Sequence, residues 1–121
     1  MVIPLSVPAF SLTAPALVDS GATDSFVDTA FAKKSGLPAT RLKVPRSLRL
    51  FDGGLAHSGP ITHFVVLDIR PPGGILKKHT FLLTTLDPSV SFVLGIDWLT
   101  LLNPRIDWKS SEMHFPLLDV S

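Results

Sequence analysis

The sequence predicts an all-β domain that carries one or two short helices. Eleven prolines and eight glycines are scattered along the 121 residues and punctuate short apolar runs. Runs of that length bounded by turn formers are the pattern of short strands. Hydrophobic residues make up 45% and charged ones 17%, a balance that belongs to a globular chain rather than a disordered one. A chain of 121 residues is read as one domain, 1–121, long enough for a real core and too short for two.

The elements follow in order. Val2–Val7 and Leu12–Val18 read as strands, the second ending in Asp19. After a turn, Thr23 or Asp24 is placed to cap a short helix that carries Phe26, Val27, Ala30 and Phe31 on one face. Lys33 and Lys34 suit its C-terminal end, and Gly36 followed by Pro38 stops it. Ser47–Phe51 alternates and meets Asp52-Gly53-Gly54, a strong hairpin signal. The return strand starts near Leu55 and continues after Gly59-Pro60 as Ile61–Ile69. Pro71-Pro72-Gly73-Gly74 turns into a strand over Lys77–Leu83, and Asp87-Pro88-Ser89 turns into another over Ser91–Leu94. Ile96–Leu102 is a short helix ended by Asn103-Pro104. Arg105–Trp108 and Met113–Phe115 close as a hairpin around Lys109-Ser110-Ser111-Glu112.

Composition removes several functions. A net charge of +1 argues against a nucleic-acid-binding module, which needs a basic face to neutralise phosphates. The absence of cysteine removes disulfides and thiolate metal sites, and fits an intracellular protein. His57, His63, His79 and His114 have no metal-binding spacing, so no metal and no cofactor is expected. The first eighteen residues are apolar, but no Lys or Arg precedes Lys33, and Pro4, Pro8 and Pro15 break any helical signal segment. No stretch is long and charge-free enough to span a membrane as a helix. Trp98 and Trp108 read as core residues, and Lys33-Lys34 and Lys77-Lys78 as solvated faces.

Chemistry concentrates at Leu17-Val18-Asp19-Ser20-Gly21-Ala22. An apolar strand runs into an acid that has no charged neighbour within four positions, and Ser-Gly then forces a sharp turn. A carboxylate held at the lip of a strand and partly desolvated is what acid/base chemistry requires. The bare tripeptide is usually a simple loop. Here Ala22-Thr23 continues it, and Phe92-Val93-Leu94-Gly95-Ile96-Asp97-Trp98-Leu99 matches it far down the chain. Together these resemble the retropepsin family, the aspartic proteases of retroviruses and LTR retrotransposons, and within it the gypsy-type branch. The resemblance runs from about Leu5 to about Phe115, and also draws on Leu50-Phe51-Asp52-Gly53 and on Asn103-Pro104-Arg105-Ile106-Asp107-Trp108.

The resemblance implies a closed barrel-like fold, an aspartic endopeptidase activity, and a cytoplasmic setting that extends to virus-like particles. Asp19 would be the catalytic acid. Such hydrolysis uses two carboxyl groups that share one proton, because mutual repulsion prevents both from ionising. Asp-Ser/Thr-Gly occurs once here, whereas bilobed pepsin-like enzymes carry two copies on a chain more than twice as long. The second Asp19 must then come from another copy, and an isologous homodimer supplies it.

By the same resemblance Ser20 bonds across the dimer axis, while Gly21 and Ala22 leave room for backbone and substrate. Thr23 and Asp24 line the substrate groove, with a helix cap as the alternative reading. Asp52, Gly53 and Gly54 form the tip of a mobile flap, with an ordinary tight turn as the alternative. His57, in the same hairpin, is a solvated polar residue. Phe92-Val93-Leu94-Gly95 threads beneath the acid loop and holds it. Many retroviral members place an Arg directly after this glycine, paired with an acid two places beyond the alanine. Here Ile96 takes the first place, and Thr23 then Asp24 follow Ala22, so that pair cannot form. Gypsy-type relatives lack it too.

The implied substrate is an extended polypeptide, most naturally a Gag–Pol polyprotein. One rival keeps the fold without activity, as a domesticated dimerisation or peptide-binding module. A second is a ubiquitin-receptor-type protein with a retropepsin-like domain, whose further domains a chain ending at Ser121 would not hold.

Overall fold

The computed structural model describes residues 1–47 and 60–115. β1 (Val2–Val7) and β2 (Leu12–Val18) form the first hairpin, antiparallel from Val2↔Leu17 to Val7↔Leu12, as their alternation predicts. Ile3, Leu5 and Val7 from one strand and Ala14, Ala16 and Val18 from the other turn inward and are buried. A single 3-10 turn, Pro8–Phe10, joins them, with Ser11 in the left-handed region.

The next segment departs from expectation. Phe26 and Val27 belong to a strand, β3 (Phe26–Asp28), rather than to a helix face, and neither Thr23 nor Asp24 caps a helix. The cap of α1 (Thr29–Lys34) is Asp28, whose Oδ2 accepts the Phe31 N–H at 3.0 Å. Its Oδ1 accepts the Leu86 N–H at 2.9 Å. Ser25, Phe26 and Val27 are all buried, and a short run buried on both sides carries no periodicity to separate strand from helix. Lys33 and Lys34 do occupy the last turn of α1, and Gly36 follows with φ +71°.

β4 (Thr40–Arg46) was not foreseen. It is an edge strand paired with β5 (Ile61–Ile69), and the register breaks between Arg41↔His63 and Arg46↔Ile61. It buries no side chain fully, and Arg41, Lys43, Pro45 and Arg46 give it the character of an edge protected from further pairing. Of the expected hairpin, residues 48–59 lie outside the described residues, including Asp52, Gly53, Gly54 and His57. The turn at Pro71–Gly74 forms as expected, with Gly73 at φ +73° and the Gly74 N–H donating to Pro71 O, and leads into β6 (Lys77–Thr84).

Asp87-Pro88-Ser89 turns, its carboxylate accepting the Ser89 N–H at 2.9 Å, into β7 (Phe92–Leu94). α2 (Ile96–Leu102) follows and ends at Asn103 in the left-handed region. β8 (Arg105–Asp107) and β9 (Glu112–His114) make a separate hairpin. Trp98 is core, whereas Trp108 is 53% exposed, contrary to expectation, because it sits in the β8–β9 turn past the last residue of β8.

Among the described residues, a seven-stranded sheet in the order β1-β2-β7-β3-β6-β5-β4 organises the fold. β2 and β7 run parallel, as do β3 and β6. The sheet curls until Ser6 of β1 and Arg70 exchange two backbone hydrogen bonds, of 3.0 and 2.9 Å. Leu5, Val7, Phe81, Phe92, Leu94 and Trp98 pack in the main core. Alternate residues of the same strands, Phe26, Leu82 and Val93 with Ile61, form a second cluster, on which Leu17 and Ala22 rest. The end of β2 and the loop after it are thus supported from below.

Candidate active site

Asp19 leaves the end of β2 with its backbone N–H donating to Leu94 O at 3.0 Å. Its own carbonyl accepts the Ala22 N–H at 3.1 Å, and its Oδ1 accepts the Gly21 N–H at 2.8 Å. The turn therefore fixes the carboxylate that it follows. Asp19 is half-buried, Gly21 and Ala22 likewise, and Ser20 is exposed. The loop thus presents its hydroxyl outward and its acid at the rim.

The loop is tied to the segment after β7 by further hydrogen bonds. The Ile96 N–H donates to Ala22 O at 2.7 Å, and the Gly95 N–H donates to Ser25 Oγ at 3.1 Å. The backbones approach so closely that a Cβ on Gly95 would lie 2.8 Å from Ala22 O and closer still to Asp24 O. Only glycine fits between those carbonyls without movement of the loop.

Two charged clusters flank this frame. Asp24 Oδ2 accepts from Arg46 Nη2 at 3.1 Å, with Thr23 Oγ1 at 3.4 Å. That pair is largely solvated, so it contributes little to stability. Beneath the loop, Ser25 Oγ donates to Asp97 Oδ1 at 2.7 Å, and His79 Nε2 lies 3.1 Å from both Ser25 Oγ and Asp97 Oδ2. The Trp98 N–H donates to Asp97 Oδ1 at 2.8 Å. Burial pushes the Asp97 carboxyl up, but hydrogen bonds from His79 and Ser25, the His79 charge and the Trp98 amide outweigh it, and the net shift is below the usual carboxylate value. Ser25 is wholly buried, so it cannot serve as an accessible nucleophile.

Residues 15–118 match the family model described as the PEG10/RTL1 protease domain. The chain belongs to the PEG10/RTL1 protease domain family. That family is retropepsin-like and comes from a gypsy-derived gene. Two solved structures share the fold. The crystal structure of the retroviral protease-like domain of Ddi1 from Leishmania major has a TM-score of 0.61 at 18% identity, covering 100% of this chain and 97% of that one. Lpg0085 of Legionella pneumophila, a protein of unknown function, has a TM-score of 0.55 at 18% identity, covering 88% of each chain. At such identities the likeness is one of fold.

In this PEG10/RTL1-type domain, Asp19, Ser20, Gly21 and Ala22 form one turn, and Phe92–Gly95 lies against it as expected. Thr23 and Asp24 sit at the exit of that turn, where Asp24 meets Arg46, a residue that the sequence did not single out. The cluster of Ser25, His79 and Asp97 also escaped the sequence, because its members lie 72, 54 and 18 positions apart in pairs. The one available signal was the acid in Gly95-Ile96-Asp97-Trp98. Among the described residues no group of His, Cys, Asp or Glu is arranged to hold a metal ion, and no helix is long and apolar enough to cross a membrane.

Proposed function

We propose that this retropepsin-like domain, spanning 1–121, is an aspartic endopeptidase that works as a homodimer in the cytoplasm on extended polypeptide, with a retroelement Gag–Pol polyprotein as the natural substrate class. The observation that supports it most is the setting of Asp19: a half-exposed carboxylate oriented by the Gly21 amide, on a loop hydrogen-bonded to β7 and to the start of α2. A single such acid per chain makes the second copy part of the chemistry.

In the dimer one Asp19 carboxylate takes a proton from water as the water oxygen bonds to the scissile carbonyl carbon. The other Asp19, protonated, donates to the carbonyl oxygen. The tetrahedral intermediate then collapses: the leaving nitrogen takes a proton from one Asp19, the other Asp19 carboxylate takes a proton back from a hydroxyl of the intermediate, and the C–N bond breaks to give the acid and the amine. Ser20 braces the two acid loops, and Gly21 and Ala22 keep the floor open. Thr23 and Asp24 contact the peptide from the groove wall, with main-chain hydrogen bonds supplying affinity.

Hydrolysis of a peptide library by the wild-type chain and by Asp19→Asn tests this reading. The isosteric amide is expected to leave the fold intact and to lower turnover about a thousandfold or more. Cleavage retained by Asp19→Asn in metal-free buffer overturns the aspartic mechanism. The match to a gypsy-derived family favours a second reading, in which the domain serves as a dimerisation or peptide-binding module without hydrolysis. Wild-type dimers that cleave no peptide select it.

A further inference from the structure

Building on the protease reading, we propose that Ser25, His79 and Asp97 form a latch that positions the Asp19 loop, with His79 as its positioning residue. The three come from three elements. Ser25 closes the acid loop just before β3, His79 lies on β6, and Asp97 lies in the first turn of α2.

The proton count fixes how they connect. The Ser25 hydroxyl has one proton, and the 2.7 Å contact gives it to Asp97 Oδ1. An ionised carboxylate only accepts, so the 3.1 Å contact with Asp97 Oδ2 requires His79 Nε2 to carry a proton. That N–H is then shared between Asp97 Oδ2 and Ser25 Oγ, both at 3.1 Å. Ser25 Oγ, so oriented, accepts the Gly95 N–H. Gly95 in turn stands between the two backbone ties of the acid loop, Leu94 O to the Asp19 N–H and the Ile96 N–H to Ala22 O. Any shift of Gly95 is therefore passed to both ends of the Asp19 turn.

The retroviral arrangement reaches this region with an arginine after the glycine, which Ile96 replaces. Here the donor is the His79 N–H from β6, and the acid it meets is Asp97, one place beyond Ile96. The His79 side chain is 9% exposed and packs edge-on against Phe81, so its ring has little freedom to leave the latch. Partly burying such a pair is a poor way to gain stability, since apolar replacements often do as well. It is an effective way to fix one geometry.

Amide exchange on the full chain separates a latch from general support. In His79→Leu, which keeps bulk and removes the donor, the Asp19, Ala22 and Ile96 amides are expected to exchange about tenfold faster, the effect of losing one charge-assisted hydrogen bond. Amides of the β1–β2 ladder should keep their rates, and His79→Gln, which restores a donor, should recover most of the protection. Ser25→Ala, a smaller change, should give the same local pattern if the leucine variant does not fold. In an active protein kcat should fall while KM and the dimer dissociation constant hold. Protection unchanged at the three loop amides, or lost evenly along the chain, overturns the latch. A wild-type chain without hydrolysis defeats the protease reading, and the exchange pattern still decides this one.

Discussion

Asp97 is the residue on which the charge balance beneath the loop turns. Its carboxyl sits below the usual value of 3.8 because the bonds and charge of His79, with Ser25 and Trp98, outweigh its burial. A depressed folded-state value means that the unfolded chain takes up the proton first. The stability this carboxylate contributes is therefore complete above 3.8 and is lost as pH falls through the lower, folded value. Melting temperatures measured from neutral pH down to about 2 should decline on the acid side for the wild type, and Asp97→Asn should remove part of that slope. An identical acid slope in the variant contradicts the assignment. The acid motif itself was legible because its signal is local: strand, acid, hydroxyl, glycine. The latch was not, since His79 had no neighbouring partner in sequence to give it meaning. Trp108 misled for a similar reason, its aromatic character saying nothing about its place in a turn.

At the scale of elements, whatever left a periodic imprint was readable. β1, β2, β5 and α2 fall where alternation and helix stops put them. β4 left none, because it packs one edge of the sheet with exposed and charged side chains. β3 left an ambiguous one, since Ser25, Phe26 and Val27 are buried in a row. The helix start was displaced as a result, from Thr23 or Asp24 to Asp28. Asp28 holds two amides at once, that of Phe31 in α1 and that of Leu86 beyond β6. Removing its side chain should cost more than an ordinary cap, about 1–3 kcal/mol, since the Leu86 amide also loses its partner. Denaturant midpoints should show that loss for Asp28→Ala and a substantial part of it for Asp28→Asn, whose single amide oxygen can replace only one of the two carboxylate acceptors. A midpoint unchanged in the alanine variant would reduce Asp28 to a surface residue.

For the whole molecule, the family was legible from two separated motifs, but not from either alone. The single acid motif also implied that the second acid arrives from another copy. If each site draws one Asp19 from each of two copies, specific activity must fall on dilution through the dimer dissociation constant. Sedimentation and turnover measured over one concentration series should share a midpoint. Ser20→Ala should move both midpoints to higher concentration, about three- to tenfold for a single hydrogen bond, while Ser20→Thr should leave them in place. Undiminished turnover by a monomer refutes the shared site.

The parallel pairing of β2 with β7 carries a consequence for the order of events in folding. The first hairpin needs only its own few residues, and such local closures are fast. The acid loop instead depends, through Ser25 at its end, on partners 70 and 72 positions further on, at Gly95 and Asp97. Contacts of that sequence separation form late, because the loop-closure entropy is spent before any of them is made. On a ribosome the acid emerges early, yet the turn that aims it must wait for α2. A growing chain therefore has Asp19 long before it has a site.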